Sequence, residues 1–176
     1  IGLDGSESQI TKGEWDVVEL KGINNKKGVI YYVSAEEGAI YKTLYSIKLD
    51  GSGKTKLSER KGSNNADFST GMKYYINYYS NANEPSTVTV HNAKGKAIET
   101  LVNNEKLKSV LSQYNLSQKE FITIKGAAGD DLNAFVVKPP NFDESKKYPV
   151  YFNIYNGPGH NTVTDSWAGP NFMYHQ

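Results

Sequence analysis

Cysteine is absent from this chain of 176 residues. No disulfide can staple it and no thiolate can hold a metal, so packing and hydrogen bonds must supply its stability. Histidine is scarce. His91, His160 and His175 stand apart, none paired with another histidine or with carboxylates at metal-ligand spacing, and no cofactor is expected. No window approaches the ~18 consecutive apolar residues of a membrane-spanning helix. Ile1-Gly-Leu-Asp-Gly5 has neither the basic region nor the apolar core of a signal peptide. It reads as the tail of a preceding hairpin, so the chain is expected to begin, as it ends, inside a larger architecture. An excess of one charge is missing too. Twenty Lys and Arg face 19 Asp and Glu, for a net charge of +1, which gives no electrostatic reason to expect nucleic acid or an anionic membrane as partner.

What is present is tyrosine (13) and glycine (16), among many Asn and Ser. That mixture favours short strands joined by turns. A weak repeat runs through the first hundred residues. Leu3-Asp4-Gly5 recurs as Leu49-Asp50-Gly51, 46 residues on, and Asn92-Ala93-Lys94-Gly95 fills the same turn slot 44 residues after Gly51. Strands are expected over 16–21, 29–34, 44–49 and 56–57, then over 66–69, 74–79, 87–91 and 97–101. Four short strands at a period of about 40–50 mark the blades of a β-propeller. An antiparallel β-sandwich of meandering hairpins is the alternative.

The grammar changes after Leu101. Asn103 or Asn104 can cap a helix whose apolar positions Leu107, Val110, Leu111 and Tyr114 fall on one face, with Asn115 ending it. A strand over 121–124, a Gly-rich turn and a strand over 132–137 make a hairpin, stopped by Pro139-Pro140, which removes two backbone donors. The run Tyr148-Pro-Val-Tyr-Phe-Asn-Ile-Tyr-Asn-Gly-Pro-Gly159 reads as a buried strand over 150–155 that stops at a Gly-Pro-Gly loop. Residues 165–176 are expected to begin a helix. The boundary between two domains is placed near 102–118.

Few motifs point to chemistry. Gly51-Ser-Gly-Lys-Thr55 resembles the end of a phosphate-binding loop, but the first glycine of that pattern would sit where Lys48 is, and a turn is expected. Glu36-Glu37 is read as a solvated carboxylate pair, and His91 as a surface residue at a strand end. Asn115-Leu-Ser117 matches a glycosylation acceptor by pattern alone. No Gly-x-Ser-x-Gly nucleophile elbow occurs. Tyr155 stands at the C-terminal end of the expected strand, where open α/β sheets gather their ligands. A phenol there could be a single, fixed donor to a developing oxyanion, or simply an aromatic packed between strand and helix. Asn156, Gly157 and His160 are candidates for lining the same site.

The order of Ile10-Thr-Lys-Gly-Glu-Trp-Asp-Val17, Leu44-Tyr-Ser-Ile-Lys-Leu-Asp-Gly51, Lys138-Pro-Pro-Asn-Phe-Asp143, Ser145-Lys-Lys-Tyr-Pro149, Tyr155-Asn-Gly-Pro-Gly159 and Val163-Thr-Asp-Ser-Trp167 resembles the dipeptidyl peptidase IV branch of the prolyl oligopeptidase family of serine peptidases. The resemblance implies a mostly β chain with an α/β part. Residues 1–102 would be the last blades of an N-terminal β-propeller, and 103–176 the first strands of an α/β-hydrolase domain. It implies a secreted, periplasmic or cell-surface exopeptidase that releases N-terminal dipeptides with Pro or Ala second and acts on peptide substrates, the parent enzyme being open to homo-oligomer formation. In that family the tyrosine matching Tyr155 donates to the oxyanion hole, while Asn156 and Gly157 would shape the turn that aims it. The triad would lie beyond Gln176 and the amine-binding acidic pair before Ile1, leaving Glu36-Glu37 without that role and this segment inactive by itself. A binding protein with an inactive hydrolase domain, and another peptidase of the same family, are the alternatives.

Overall fold

The computed structural model describes residues 4–155, 157 and 161–176. Among them the chain forms two four-stranded antiparallel sheets, each a meander in sequence order. The first holds β1 (Val17–Asn24), β2 (Val29–Ser34), β3 (Thr43–Lys48) and β4 (Thr55–Lys56). The second holds β5 (Ser63–Phe68), β6 (Tyr74–Asn81), β7 (Glu84–Asn92) and β8 (Ala97–Val102). A short helix, α1 (Glu105–Leu111), leads to a two-stranded hairpin of β9 (Lys119–Lys125) and β10 (Asp131–Val137), and a 3₁₀ helix covers Gly169–His175. The repeat therefore marks two like units, as the sequence suggested, with strand ends shifted by a few residues.

The turns follow from their residues. At Asp50-Gly-Ser the Asp50 carboxylate accepts the Ser52 N–H at 2.8 Å, and the Lys48 N–H closes on the Ser52 carbonyl at 3.0 Å. The phosphate-loop lookalike is thus a hairpin turn. At the other end of the second sheet the Asn92 side chain accepts the N–H groups of Lys94 and Lys96 at 2.9 and 3.2 Å.

Alternation along β2 and β3 builds two apolar faces. Tyr31, Val33 and Leu44 turn toward the second sheet and pack with Leu57, Ala66 and Tyr75. Tyr32, Tyr45 and Ile47 turn the other way, onto Ile10, Trp15 and Ile30. Rings tie the sheets together: Tyr31 to Phe68 at 4.3 Å, Phe68 to Tyr75 at 4.9 Å, and Tyr75 to His91 at 5.0 Å between centroids. His91, expected at the surface, is buried. Its Nδ1 lies 2.8 Å from the Gly95 carbonyl, which can only accept, so Nδ1 carries the proton; Nε2 meets the Thr89 hydroxyl at 2.8 Å. The ring supplied by Tyr75 from the adjacent strand is what a local reading of the sequence missed.

Where the chain crosses between sheets, Lys42 pairs parallel with Ser63. The Lys42 N–H reaches the Gly62 carbonyl and the Asn64 N–H reaches the Lys42 carbonyl, at 3.0 and 2.9 Å. Gly62 has φ +142°, and a Cβ there would stand 2.6 Å from the Ser80 carbonyl oxygen, so backbone and space both demand glycine. Asn64 is 1% exposed. Its amide donates to the carbonyls of Lys42 and Arg60, both at 3.0 Å, and its carbonyl oxygen accepts from Asn77 at 3.3 Å.

Three expectations for the second half are corrected. Asn104 occupies the N-cap of α1 in the left-handed region (φ 55°, ψ 28°) without a side-chain cap, while Asn103, the other candidate, accepts the Glu105 N–H on its side chain at 3.2 Å. The Asn104 amide instead donates to the Ser86 carbonyl. The helix also stops at Leu111, well before Asn115, and buries no residue. The expected strand over 150–155 is irregular and open: Val150, Tyr151, Phe152 and Ile154 are 72–77% exposed. Apolar character makes a strand only when another strand's backbone satisfies its N–H and C=O groups, and no described residue pairs with this run. The expected helix over 165–176 is a single 3₁₀ segment with Pro170 in its first turn.

Candidate functional site

The approach to Tyr155 is fixed on its N-terminal side by a local knot. Asp143 accepts the Ser145 N–H and hydroxyl at 3.0 and 2.7 Å, and these bonds hold its carboxyl below the ordinary carboxylate range. The Asp143 N–H donates to the Tyr148 hydroxyl at 3.0 Å, and the Tyr148 ring leans on Phe142 at 5.0 Å. Pro149 follows, and the open segment then runs to Tyr155, which is 53% exposed. Gly157 comes two residues later. A Cβ built on it would fall 2.6 Å from the Tyr155 hydroxyl oxygen and 2.9 Å from Cζ. The phenol therefore folds over the glycine. Asn156 and His160, both named from the sequence as lining residues, lie outside the described residues.

Beyond the loop the chain is fastened again, now to both sheets. The Asn161 amide donates to the Ala39 carbonyl at 3.0 Å and the Asp165 N–H to the Ile40 carbonyl at 2.8 Å, both in the loop between β2 and β3. The Asp165 carboxylate accepts the N–H of buried Ala82 at 2.7 Å, in the turn between β6 and β7, and the Trp167 N–H donates to the Ser80 hydroxyl at 3.2 Å. Trp167 stacks on Phe172 at 4.1 Å. Lys119 lies near this joint, 4.2 Å from the Phe135 ring centroid. Burial pushes its ammonium pKa down, and the Asp165 charge opposes that. Motif reading singled out none of Asn161, Asp165 and Lys119 individually. Their importance rests on partners 36 to 122 residues away.

A cavity of about 270 Å³ opens between the β2–β3 loop and the hairpin, lined by residues 38–41 on one side and Phe121, Thr123 and Asn133 on the other. A second, of about 440 Å³, is lined by Trp15, Tyr32, Lys12, Lys54 and Asp50 on the far face of the first sheet. Glu36 and Glu37, expected to be solvated, are ion-paired with Lys54 and Lys56. Lys54 also stands 5.8 Å from the ring centroids of Trp15 and Tyr45. The acidic pair is thus occupied in holding β4 to the β2–β3 loop. Among the described residues no cluster of three or more His, Asp or Glu could hold a metal, and no helix is long and apolar enough to cross a membrane.

Residues 2–86 match the model of the dipeptidyl peptidase IV N-terminal region. Over 172 residues the chain is 35% identical to dipeptidyl peptidase 4 of Trichophyton equinum, covering 96% of this chain and 22% of that protein. The crystal structure of Porphyromonas gingivalis dipeptidyl peptidase 4 superposes with a TM-score of 0.89 at 41% identity, over 96% of this chain and 24% of that one. Over nearly its whole length the chain is similar to dipeptidyl peptidase IV proteins. A putative dipeptidyl aminopeptidase IV from Bacteroides ovatus, 24% identical with a TM-score of 0.77, shares the fold over 96% of this chain and 24% of its own. The chain thus spans between a fifth and a quarter of the length of these dipeptidyl peptidase IV relatives. The family model covers the two sheets up to the start of β7. Similarity to the relatives runs further, through nearly the whole chain, and so extends beyond the region that the family model describes.

Proposed function

We propose that this chain is the part of a serine-type exopeptidase that carries its oxyanion-hole tyrosine, Tyr155, and that the whole enzyme releases N-terminal dipeptides with Pro or Ala in second position. The two sheets are then blades of a propeller, and the segment from the hairpin onward enters an α/β-hydrolase domain. The nucleophile and its partners belong to the share of the relatives' length that this chain does not span.

The observation that carries the reading is Tyr155 itself. The motif Tyr155-Asn-Gly-Pro-Gly159 sits in a chain similar to dipeptidyl peptidase IV proteins, and the ring is half exposed at the end of an apolar run with glycine directly beneath its hydroxyl. A phenol in such a place offers one O–H donor. When a serine attacks a peptide carbonyl, charge grows on the carbonyl oxygen, and a donor aimed at that oxygen stabilises the transition state more than the substrate. After the loop, Asp165 ties the chain to both sheets through the Ile40 carbonyl and the Ala82 N–H. A fixed donor is worth more than a mobile one because no reorganisation is needed as charge develops.

The test is Tyr155→Phe in the complete peptidase, assayed on a Gly-Pro chromogenic dipeptide. We expect kcat to fall by about 10²–10³ with KM little changed, the signature of a contact made only in the transition state. An unchanged kcat would remove Tyr155 from the chemistry.

A further inference from the structure

We infer that Gly157 is a positioning residue for the Tyr155 hydroxyl, required for the space it leaves. The inference rests on the oxyanion role of Tyr155 and adds the feature that seats the donor.

Among the described residues most glycines lie at positive φ, where a side chain would be strained: 11 of them have φ between +58° and +153°. No left-handed φ is recorded for Gly157, so the case for glycine there is made on space. Its surroundings are what exclude a side chain. A methyl group there would stand 2.6 Å from the Tyr155 Oη, 2.9 Å from Cζ and 3.2 Å from Cε1. All three are far below an ordinary carbon contact of about 3.5–4.0 Å. Each of these three nearest atoms belongs to the outer end of the phenol. Adding one carbon is therefore relieved most readily by a swing of the ring, the flexible partner in all three contacts. A tyrosine ring that rotates away carries its hydroxyl by more than an ångström, and a misplacement of that size is enough to cost about 10²-fold in rate.

Gly129 serves as an internal contrast. It lies at φ +89° in the β9–β10 turn with nothing within 4 Å of an added Cβ. Alanine there would strain the backbone and touch no tyrosine.

The experiment is a double-mutant cycle in the complete peptidase with Gly157→Ala, Tyr155→Phe and the pair, measured on a Gly-Pro chromogenic dipeptide. Binding of a dipeptide product is followed in parallel as a ground-state reference. Gly157→Ala is expected to lower kcat by about 10²-fold with KM and product affinity held within about twofold. In the Tyr155→Phe background the same change is expected to add less than about threefold, because the hydroxyl it displaces is already gone. Gly129→Ala is expected to leave kcat unchanged.

The two readings fail differently. A normal kcat for Tyr155→Phe overturns the oxyanion role and this inference together. A reduced kcat for Tyr155→Phe beside a normal one for Gly157→Ala overturns only the inference. So does a loss from Gly157→Ala that multiplies fully with that of Tyr155→Phe. If Gly157→Ala fails to fold, Tyr155→Ala, which removes the ring, is expected to restore folding to the pair. An unfolded double variant would show that the clash lies elsewhere and would refute the positioning role.

Discussion

Asn64 joins the two sheets, and replacing it with leucine is the sharpest test of how they are held. The side chain is nearly isosteric with leucine, so cavity formation is a small part of the effect. What is lost is polar. The Arg60 carbonyl loses the Asn64 amide at 3.0 Å, and the Asn77 amide loses its acceptor at 3.3 Å. The Lys42 carbonyl loses one donor but keeps the Asn64 backbone N–H at 2.9 Å. Two groups are thus left without their present partner, and Asn77, only 7% exposed, already has a buried carbonyl oxygen unpaired. An orphaned buried polar group costs about 1–3 kcal/mol. The longer Asn77 contact falls at the low end, and burying apolar leucine returns part of the loss. The net expectation is a destabilisation of about 2–3 kcal/mol, or roughly 4–12 °C in Tm for a domain of this size. Urea denaturation followed by tyrosine fluorescence reads it directly. Asn65 is the control: it is exposed, bonds only its neighbour Ala66, and its change to alanine is expected to stay within about 0.5 kcal/mol. A shift for Asn64→Leu no larger than that of Asn65→Ala would refute the assignment of the joint to this side chain.

Tyr32 supplies the opposite sign. Its hydroxyl is buried without a partner, so Tyr32→Phe is expected to leave stability unchanged or raise it by up to about 1–2 kcal/mol in the same denaturation assay. Burial, assisted by nearby glutamates, pushes the phenols of Tyr32 and Tyr45 up to about 12, and that of Tyr75 upward as well. Because each folded pKa exceeds the unfolded value, the linked stabilisation is whole below about pH 10 and is lost as pH rises from there toward 12. Denaturation midpoints across pH 9–12, with phenolate absorbance, should show this fall, and midpoints flat above pH 10 would contradict it. Asp165→Ala strips the Ala82 N–H of a charge-assisted acceptor and is expected to cost about 1.5–3 kcal/mol. Asp165→Asn, which keeps an acceptor oxygen, should cost distinctly less by thermal denaturation.

Local chemistry made much of the fold legible. Asp50-Gly-Ser and Asn92-Ala-Lys-Gly wrote their own turns, because their side chains bond the backbone two to four residues on. Alternation through Tyr31, Tyr32 and Val33 gave the two faces of β2. Illegible were properties set by distant partners. His91 reads as a polar strand end until the Tyr75 ring covers it, and Glu36 and Glu37 read as solvated until Lys54 and Lys56, 18 and 19 residues on, arrive beside them. The run over 150–155 is the reverse case. Its composition asks for a strand, but pairing belongs to two segments at once, and one sequence window holds only half of that requirement. Tyr155 was visible through its motif. The steric reason for its glycine neighbour required coordinates.

The hairpin and the chain end are each secured by a carboxamide that imitates a peptide unit. Asn83 accepts from the Lys119 N–H at 2.8 Å and donates to the Lys119 carbonyl at 3.1 Å, and Gln176 does the same with Ser117 at 2.7 and 3.2 Å. Each fastening depends on one nitrogen that slow hydrolysis can remove. Deamidation at either place would set a carboxylate oxygen against a carbonyl oxygen, turning a closed clasp into a repelling one. The attachment of β9 to the second sheet therefore ages through its side-chain chemistry, while the ladders within each sheet, built from main-chain groups alone, do not.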